Sequence, residues 1–241
     1  MKKNKRVSGA LEGALNILYP RRCPVCHRIL ADQKTLVCPE CDGTFRPVSE
    51  NYCLKCGRPV KPEEEYCREC RDRKRNFDEG RGIFLYDGTM KKSLIRYKYY
   101  GSREYADYFA VSICRLAQRD IRRWNPDVIM PVPLHRRKLK MRGFNQAGYL
   151  AVRMGKLLDI PVSENTLKKI RSTRSQKKLG AAERRRNLCR AFCAEGRLDG
   201  LTVLLVDDVY TTGSTVEAAA FCLRKAGAEK VCFITLCMGR T

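Results

Sequence analysis

Acidic residues are scarce in this sequence: 26 Asp and Glu face 49 Lys and Arg over 241 residues, a formal net charge of +23 at pH 7. A surplus of this size attracts polyanions, so nucleic acid, phosphate-rich ligands and acidic membrane surfaces are the partner classes to weigh. Long apolar runs are missing too. None approaches the roughly 20 residues that a membrane span needs, which argues against membrane insertion. The opening MKKNKRVSGALEGALNILYP starts basic as a secretory signal does, but Glu12 and Asn16 interrupt the apolar centre a signal requires, so a cytoplasmic protein is expected. Leu11, Ala14, Leu15 and Leu18 fall instead on one face of a short amphipathic helix, residues 1–20, that Pro20 stops. Docking on its own protein is the ordinary use of such a stripe, with membrane or partner binding the alternative. A glycine-rich run ending in Lys-Ser or Lys-Thr is also absent, which removes a nucleotide P-loop.

Cysteine, by contrast, is abundant. Eight of the 14 cysteines form four Cys-x-x-Cys pairs, Cys23/Cys26, Cys38/Cys41, Cys53/Cys56 and Cys67/Cys70, separated by 11, 11 and 10 residues. CPVCHRIL is echoed by CLKCGRPV and CPEC by CREC, so residues 21–75 hold two copies of one small unit. A two-residue spacer lets both thiolates of a turn face one ion, and four thiolates complete the shell of a structural zinc; eight therefore predict two zinc ions. The repeat suggests sequential pairing. Gly57 after its pair permits a tight turn, whereas His27 holds that place in the first copy and is an alternative ligand. Disulfides or redox chemistry are the competing account; the lack of a secretory signal and the shortage of large apolar groups weigh against them. Loss of Cys53 and Cys56 is expected to unfold this module alone. Cys114, Cys189, Cys193, Cys222, Cys232 and Cys237 show no ligand spacing, and the last three read as core residues.

The run RDRKRN suits an exposed connector to a second domain, residues 76–241. GIFLYDGTMKKSLIRYKYYG reads as a strand, a turn at Asp87 and Gly88, and a second strand or helix start. REYADYFAVSICRLAQRDIRRW is helical and Pro126 ends it; DVIMPVPL is a short strand; FNQAGYLAVRMGKLLDI is a helix followed by Pro161. A weaker extended segment lies between Ile160 and Ile170. LTVLLVDDV is a buried strand, STVEAAAFCLRKAG a helix closed by Gly227, and KVCFITLCM a final strand. Strands alternating with helices predict an α/β fold, a parallel sheet flanked by helices, with any ligand beyond the carboxyl ends of the strands.

The stretch VDDVYTTGST occupies that edge. Thr211, Thr212, Gly213, Ser214 and Thr215 form a loop entering a helix, where free backbone N–H groups and small side chains make a phosphate cradle. Asp207 and Asp208 beside a phosphate cradle make sense for a sugar phosphate, because carboxylates accept from vicinal ribose hydroxyls and orient a magnesium ion. A response-regulator receiver also carries an acid pair after an apolar strand, but it needs a later phosphoacceptor aspartate and no Asp follows Asp208. An inert surface turn is the remaining alternative. The stretch, Val209 included, resembles the phosphoribosyl-pyrophosphate (PRPP) signature of type I phosphoribosyltransferases. That resemblance makes Asp207 and Asp208 the catalytic candidates. It also brings the backbone of Val132, Pro133 and Leu134, with Arg136, against pyrophosphate in PVPLHRRKLKMRGFNQA. No residue stands out as a general base, and His135 suits leaving-group contact better.

Together with the four cysteine pairs and QKKLGAAERRRN, this order of motifs resembles the ComF family of competence-associated, phosphoribosyltransferase-like proteins over nearly the whole chain. The resemblance implies a double zinc ribbon, a PRPP-binding domain using magnesium, and a role with single-stranded DNA in natural transformation. Residues 168–190 carry 10 basic residues and one acid, which suits a mobile loop over pyrophosphate, a nucleic-acid contact or a solvated basic helix. Lys98, Tyr99, Arg142, Lys177, Arg184, Arg185 and Arg186 are the nucleic-acid candidates. Of the tyrosines in RYKYYGSREYADYF, base stacking competes with simple packing. Two functions stay open: a phosphoribosyl transfer enzyme, with nucleobase salvage as one form, and a non-catalytic adaptor that holds DNA and an import helicase with PRPP as a regulatory ligand or relic.

Overall fold

The computed structural model describes residues 19–170 and 191–239. Most of the expected N-terminal helix, Cys189, and the candidates Lys177, Arg184, Arg185 and Arg186 lie outside the described residues. The last cysteine pair lies at helix α1 (Arg68–Arg71), after which the chain runs through strand β1 (Glu79–Leu85), helices α2 (Gly88–Tyr99), α3 (Tyr105–Leu116) and α4 (Gln118–Trp124), and strand β2 (Val128–Pro131). Helices α5 (Arg136–Arg142) and α6 (Gln146–Leu158) follow, then strands β3 (Leu167–Lys169), β4 (Phe192–Ala194) and β5 (Thr202–Tyr210), helix α7 (Ser214–Lys225) and strand β6 (Lys230–Met238).

β1, β6, β5 and β2 form one sheet in that order, parallel throughout. Both faces are covered, which is why the strands read as unbroken apolar runs. Leu204 and Val206 with Cys232 and Ile234 face the layer of Leu94, Phe109, Ile121 and Leu150 from α2, α3, α4 and α6. Val203 and Leu205 with Val231 and Phe233 face Val216, Ala219 and Leu223 of α7, and Leu167 and Phe192 of the antiparallel β3/β4 pair. The period of two along each strand sorts them. Burying a large side chain on either face stabilises by on the order of 1.5–3 kcal/mol.

Residues 88–99 resolve to a helix, because the Asp87 carboxylate accepts from Met90 N at 2.9 Å and caps it. The long helix expected before Pro126 is two, broken at Ala117 and ended by Asn125 at φ +47°. Arg136–Arg142, expected as loop, is a helix with no buried residue. The extended segment before Ile170 exists as β3, paired with β4. Among the described residues no helix is long and apolar enough to cross a membrane.

The two cysteine units repeat at the level of the backbone. Cys23 N donates to Arg28 O at 2.9 Å and Cys53 N to Arg58 O at 2.7 Å; His27 N donates to Cys23 O and Gly57 N to Cys53 O. His27 and Gly57 both take left-handed backbone, φ +69° and +70°. Their settings differ. Cys23, Leu30 and Cys41 form a small cluster of their own, whereas Cys53, Cys56 and Cys67 pack in one cluster with Phe77, Val203, Leu205, Tyr210 and Phe233. A Cβ on Gly57 would lie 2.6 Å from Arg81 Cα and Gly80 O, so this turn sits directly on β1. The second unit therefore shares the sheet's core, against the expectation that it unfolds by itself. Between the units, Val48 N donates to Ile83 O and Leu85 N to Arg46 O, both at 2.8 Å, which covers the free edge of β1.

Candidate sugar-phosphate site and zinc centres

The four sulfurs of Cys23, Cys26, Cys38 and Cys41 lie within 4.8 Å of one another, as do those of Cys53, Cys56, Cys67 and Cys70. Cys26–Cys38, Cys23–Cys38 and Cys56–Cys67 are 3.7, 3.6 and 3.7 Å apart. A zinc tetrahedron with bonds of about 2.3 Å has edges of about 3.8 Å, so both sets fit the ion. The pairing is sequential, as the repeat suggests. The His27 ring turns away from this role, its Nδ1 lying 2.5 Å from the Tyr105 hydroxyl.

Beyond the carboxyl end of the sheet, β5 runs through the acid pair and stops at Tyr210. Asp207 and Asp208 are half-buried, and the Asp207 carboxylate accepts from Asp208 N at 2.8 Å. Burial first, and the neighbouring Asp208 charge second, raise the Asp207 pKa to about 7; Lys98 and Lys169 oppose the shift. Lys98 Nζ lies 2.9 Å from Asp208 Oδ2, so this residue, expected on a nucleic-acid surface, belongs to the acid site. Lys169, on β3, has its pKa lowered by burial while the Asp207 charge works against that.

The loop after β5 turns on Gly213, whose φ is +73° and where a Cβ would meet the Tyr210 hydroxyl at 2.2 Å. Only glycine suits both demands. Thr212 Oγ1 and Ser214 Oγ are 2.7 Å apart, and Thr211 and Thr212 are exposed. Helix α7 begins here, and its first-turn N–H groups have no partner within the helix, so an anion finds donors and a favourable dipole. Val209 instead packs against the core.

Of the backbone donors expected beside β2, Val132 N is spent on Val206 O at 2.8 Å and Pro133 has none, leaving Leu134. Val132 O accepts from Asn145 Nδ2 at 3.2 Å, while the buried Asn145 Oδ1 has no partner. Arg136 is exposed at the start of α5. His135 caps that helix, its Nδ1 accepting from Arg137 N at 3.3 Å. Tyr99 and Arg142, both nucleic-acid candidates, meet: the guanidinium lies 4.9 Å from the ring centroid and donates to the hydroxyl at 3.0 Å. Tyr97 and Tyr105, in contrast, are buried packing residues.

Sequence reasoning missed Lys169, Asn145 and Arg58. Asn145 follows the basic run without a motif, and Lys169 is one lysine in a lysine-rich segment. Arg58 is 6% exposed and donates from Nη2 to Thr211 O at 2.6 Å, across 153 residues of sequence. Nothing local distinguishes it from Arg28, which occupies the same place in the first unit and is exposed.

Comparison with known proteins agrees with this geometry. The double zinc ribbon domain matches residues 14–71 and the phosphoribosyl transferase domain residues 104–241. Competence protein F of Haemophilus influenzae is 32% identical over 87% of this chain and 93% of its own length. Competence protein ComFC of Bacillus subtilis is 31% identical over 83% of each chain. The DNA utilization protein YhgH of Salmonella typhimurium is 32% identical over 92% of this chain and 98% of its own. With its paired cysteine centres and its phosphoribosyltransferase-like sheet, the chain belongs to the ComF family.

Proposed function

We propose that the site at the end of β5 binds PRPP with magnesium, and that the same face of the protein holds single-stranded DNA during DNA uptake. One observation carries the first half: two carboxylates and a glycine-turned helix N-terminus stand side by side at the carboxyl edge of a parallel sheet. Asp207 and Asp208 accept from the ribose hydroxyls, the Thr211–Thr215 loop holds the 5-phosphate, and the Leu134 N–H with Arg136 faces the pyrophosphate. Magnesium, when bound, supplies charge neutralisation on the diphosphate. Lys98 and Lys169 serve as counter-ions to the acids and stabilise negative charge on a departing pyrophosphate. Ligand binding without transfer is the alternative form of this reading.

The Tyr99–Arg142 pair supports the DNA half. Nearby, Arg103 lies 5.6 Å from the half-buried Tyr149 ring, and Arg153 lies 5.1 Å over it. Alternating guanidinium and aromatic planes suit unpaired bases and phosphates together. A cytoplasmic location and an import helicase as partner belong to this reading.

Calorimetric titration of Mg-PRPP tests the first half. Wild type should saturate, and replacing Asp207 and Asp208 together with Asn should weaken binding about a hundredfold or more, since each lost hydrogen bond to a charged group is worth about 1.5–3 kcal/mol. Affinity should also fall as pH drops below 7, by up to about tenfold per unit, because Asp207 must release its proton to act as an acceptor pair with Asp208. Wild type without saturable binding at pH 8 would falsify the assignment. For DNA, Tyr99→Ala with Arg142→Ala should weaken a single-stranded oligonucleotide and reduce the salt slope; salt-insensitive binding would remove this half.

A further inference from the structure

The phosphate loop is not held by its own domain alone. Arg58 follows the turn of the second zinc ribbon, is almost wholly buried, and donates to the carbonyl of Thr211, the first residue of the loop, at 2.6 Å. Its guanidinium also lies 5.9 Å from the centroid of Tyr210, the ring on which Gly213 turns, and 3.6 Å from Glu69 of the same ribbon. Glu69 pairs in turn with Arg75 at 3.2 Å. One residue on, Asn76 donates from its backbone N and its side chain to Glu217 Oε1, at 3.0 and 2.6 Å, in the first turn of the helix that the loop enters. Ribbon and connector thus grip the loop at both ends.

The grip is specific to one ribbon. Arg28 stands in the same register of the first copy, yet its side chain is 70% exposed and stays within its own ribbon, reaching Glu40 at 3.7 Å and the Cys26 sulfur at 3.5 Å, whereas the Arg58 side chain is 7% exposed. An arginine buried against a carbonyl orients that carbonyl, and with it the peptide plane whose N–H belongs to the next residue of the loop. Moving Thr211 moves the Thr212 N–H.

The geometry points to Arg58 as a positioning residue for the sugar-phosphate loop, which makes the metal-loaded second ribbon part of that site and puts the loop's affinity under control of the second zinc centre. This rests on the sugar-phosphate reading for its ligand, but not for the mechanical link. The first ribbon is outside this coupling. Removing zinc from Cys53, Cys56, Cys67 and Cys70 frees the turn that aims Arg58, and the loop loses its anchor.

The test compares Arg58→Ala, Arg58→Lys and Arg28→Ala in the full chain, with zinc counted in each. Two readouts are taken: affinity for Mg-PRPP, and hydrogen exchange of residues 210–219 without ligand. Arg58→Ala should retain two zinc ions, exchange faster in that segment and bind Mg-PRPP at least about tenfold more weakly, the loss expected for one charged hydrogen bond. Arg58→Lys should recover part of both, and Arg28→Ala should match wild type. If Arg58→Ala loses zinc, Asn76→Ala, which cuts the second tie outside the cysteines, should still speed exchange in the same segment. Wild-type exchange and wild-type affinity in zinc-loaded Arg58→Ala would overturn the coupling. Faster exchange in Arg58→Ala with no Mg-PRPP binding even in wild type would uphold the link and reject the ligand.

Discussion

The two zinc ribbons share a backbone and differ in what they rest on. Each has its cysteines in the same register, a residue in left-handed backbone after the second sulfur, His27 or Gly57, and an arginine next. The first keeps its sulfurs out of the main core and docks through Val25, through Phe45 just beyond its last cysteine, and through polar contacts: His27 with the Tyr105 hydroxyl, Arg21 with Asp107 at 2.9 Å, and Arg96 with Val25 O at 3.2 Å. The second merges its sulfurs with the apolar layer beneath β5 and hands Arg58 to the loop that opens at Thr211. The repeat gives two modules of like backbone, and the surface each one rests on makes them unequal. A metal centre set in a shared core carries the stability of the whole domain, and one set beside it carries only its own.

Breaking the centres one at a time should give the largest contrast. Binding of a structural zinc is worth about 10–16 kcal/mol in small peptides, which matches or exceeds the whole stability of a typical domain. Cys53→Ser with Cys56→Ser should therefore abolish the cooperative thermal transition of the sheet, because those sulfurs sit among Phe77, Val203 and Phe233. Cys23→Ser with Cys26→Ser should leave that transition in place with one zinc bound and a lowered midpoint. Equal collapse of both variants would mean that the first ribbon, too, belongs to the main core.

Much of this molecule is legible in its sequence, and the illegible part has a common cause. Apolar strands, glycine turns and cysteine spacing are local signals, so the parallel sheet, both zinc centres and the acid-pair loop can be read from residues near one another. Residues 88–99 read equally as strand or helix because Lys91, Lys92, Arg96 and Lys98 blur the apolar period, and the Asp87 cap decides the matter only in three dimensions. Arg58 and Lys169 act on residues far along the chain, where periodicity carries no information. The same limit explains the misjudged independence of the second ribbon: composition shows too little apolar surface to fold alone, but not whose apolar surface completes it.

Substituting the left-handed residue of each turn sharpens the contrast at a smaller scale. Gly57→Ala meets a φ of +70° and places its Cβ 2.6 Å from the backbone of Arg81 and Gly80. Backbone strain of this kind costs of order 1–3 kcal/mol, and a clash with main chain cannot be relieved by a rotamer change. A loss above about 2 kcal/mol is expected in denaturant unfolding. His27→Gly in the first ribbon relieves the same strain while giving up the contact with Tyr105, so a net change within about 1 kcal/mol is expected. A tolerated Gly57→Ala would show that β1 yields to the ribbon, and the second unit would be less tightly seated than the first.

The smallest expected effect isolates the contact that holds the first ribbon. Tyr105→Phe keeps a ring that is 1% exposed and packed edge-on against Phe109, and removes only the hydroxyl that faces His27 Nδ1. The loss should be about 1 kcal/mol, a shift of about 2–4 °C in a chain of this size. Its location matters more than its size. Chelator-driven zinc loss should quicken at Cys23, Cys26, Cys38 and Cys41 and stay unchanged at the other centre, which has no contact with this hydroxyl. Equal quickening at both would mean that the ribbons open together, and the division of labour between them would have to be replaced by a single cooperative unit running from Cys23 to the loop at Thr211–Thr215.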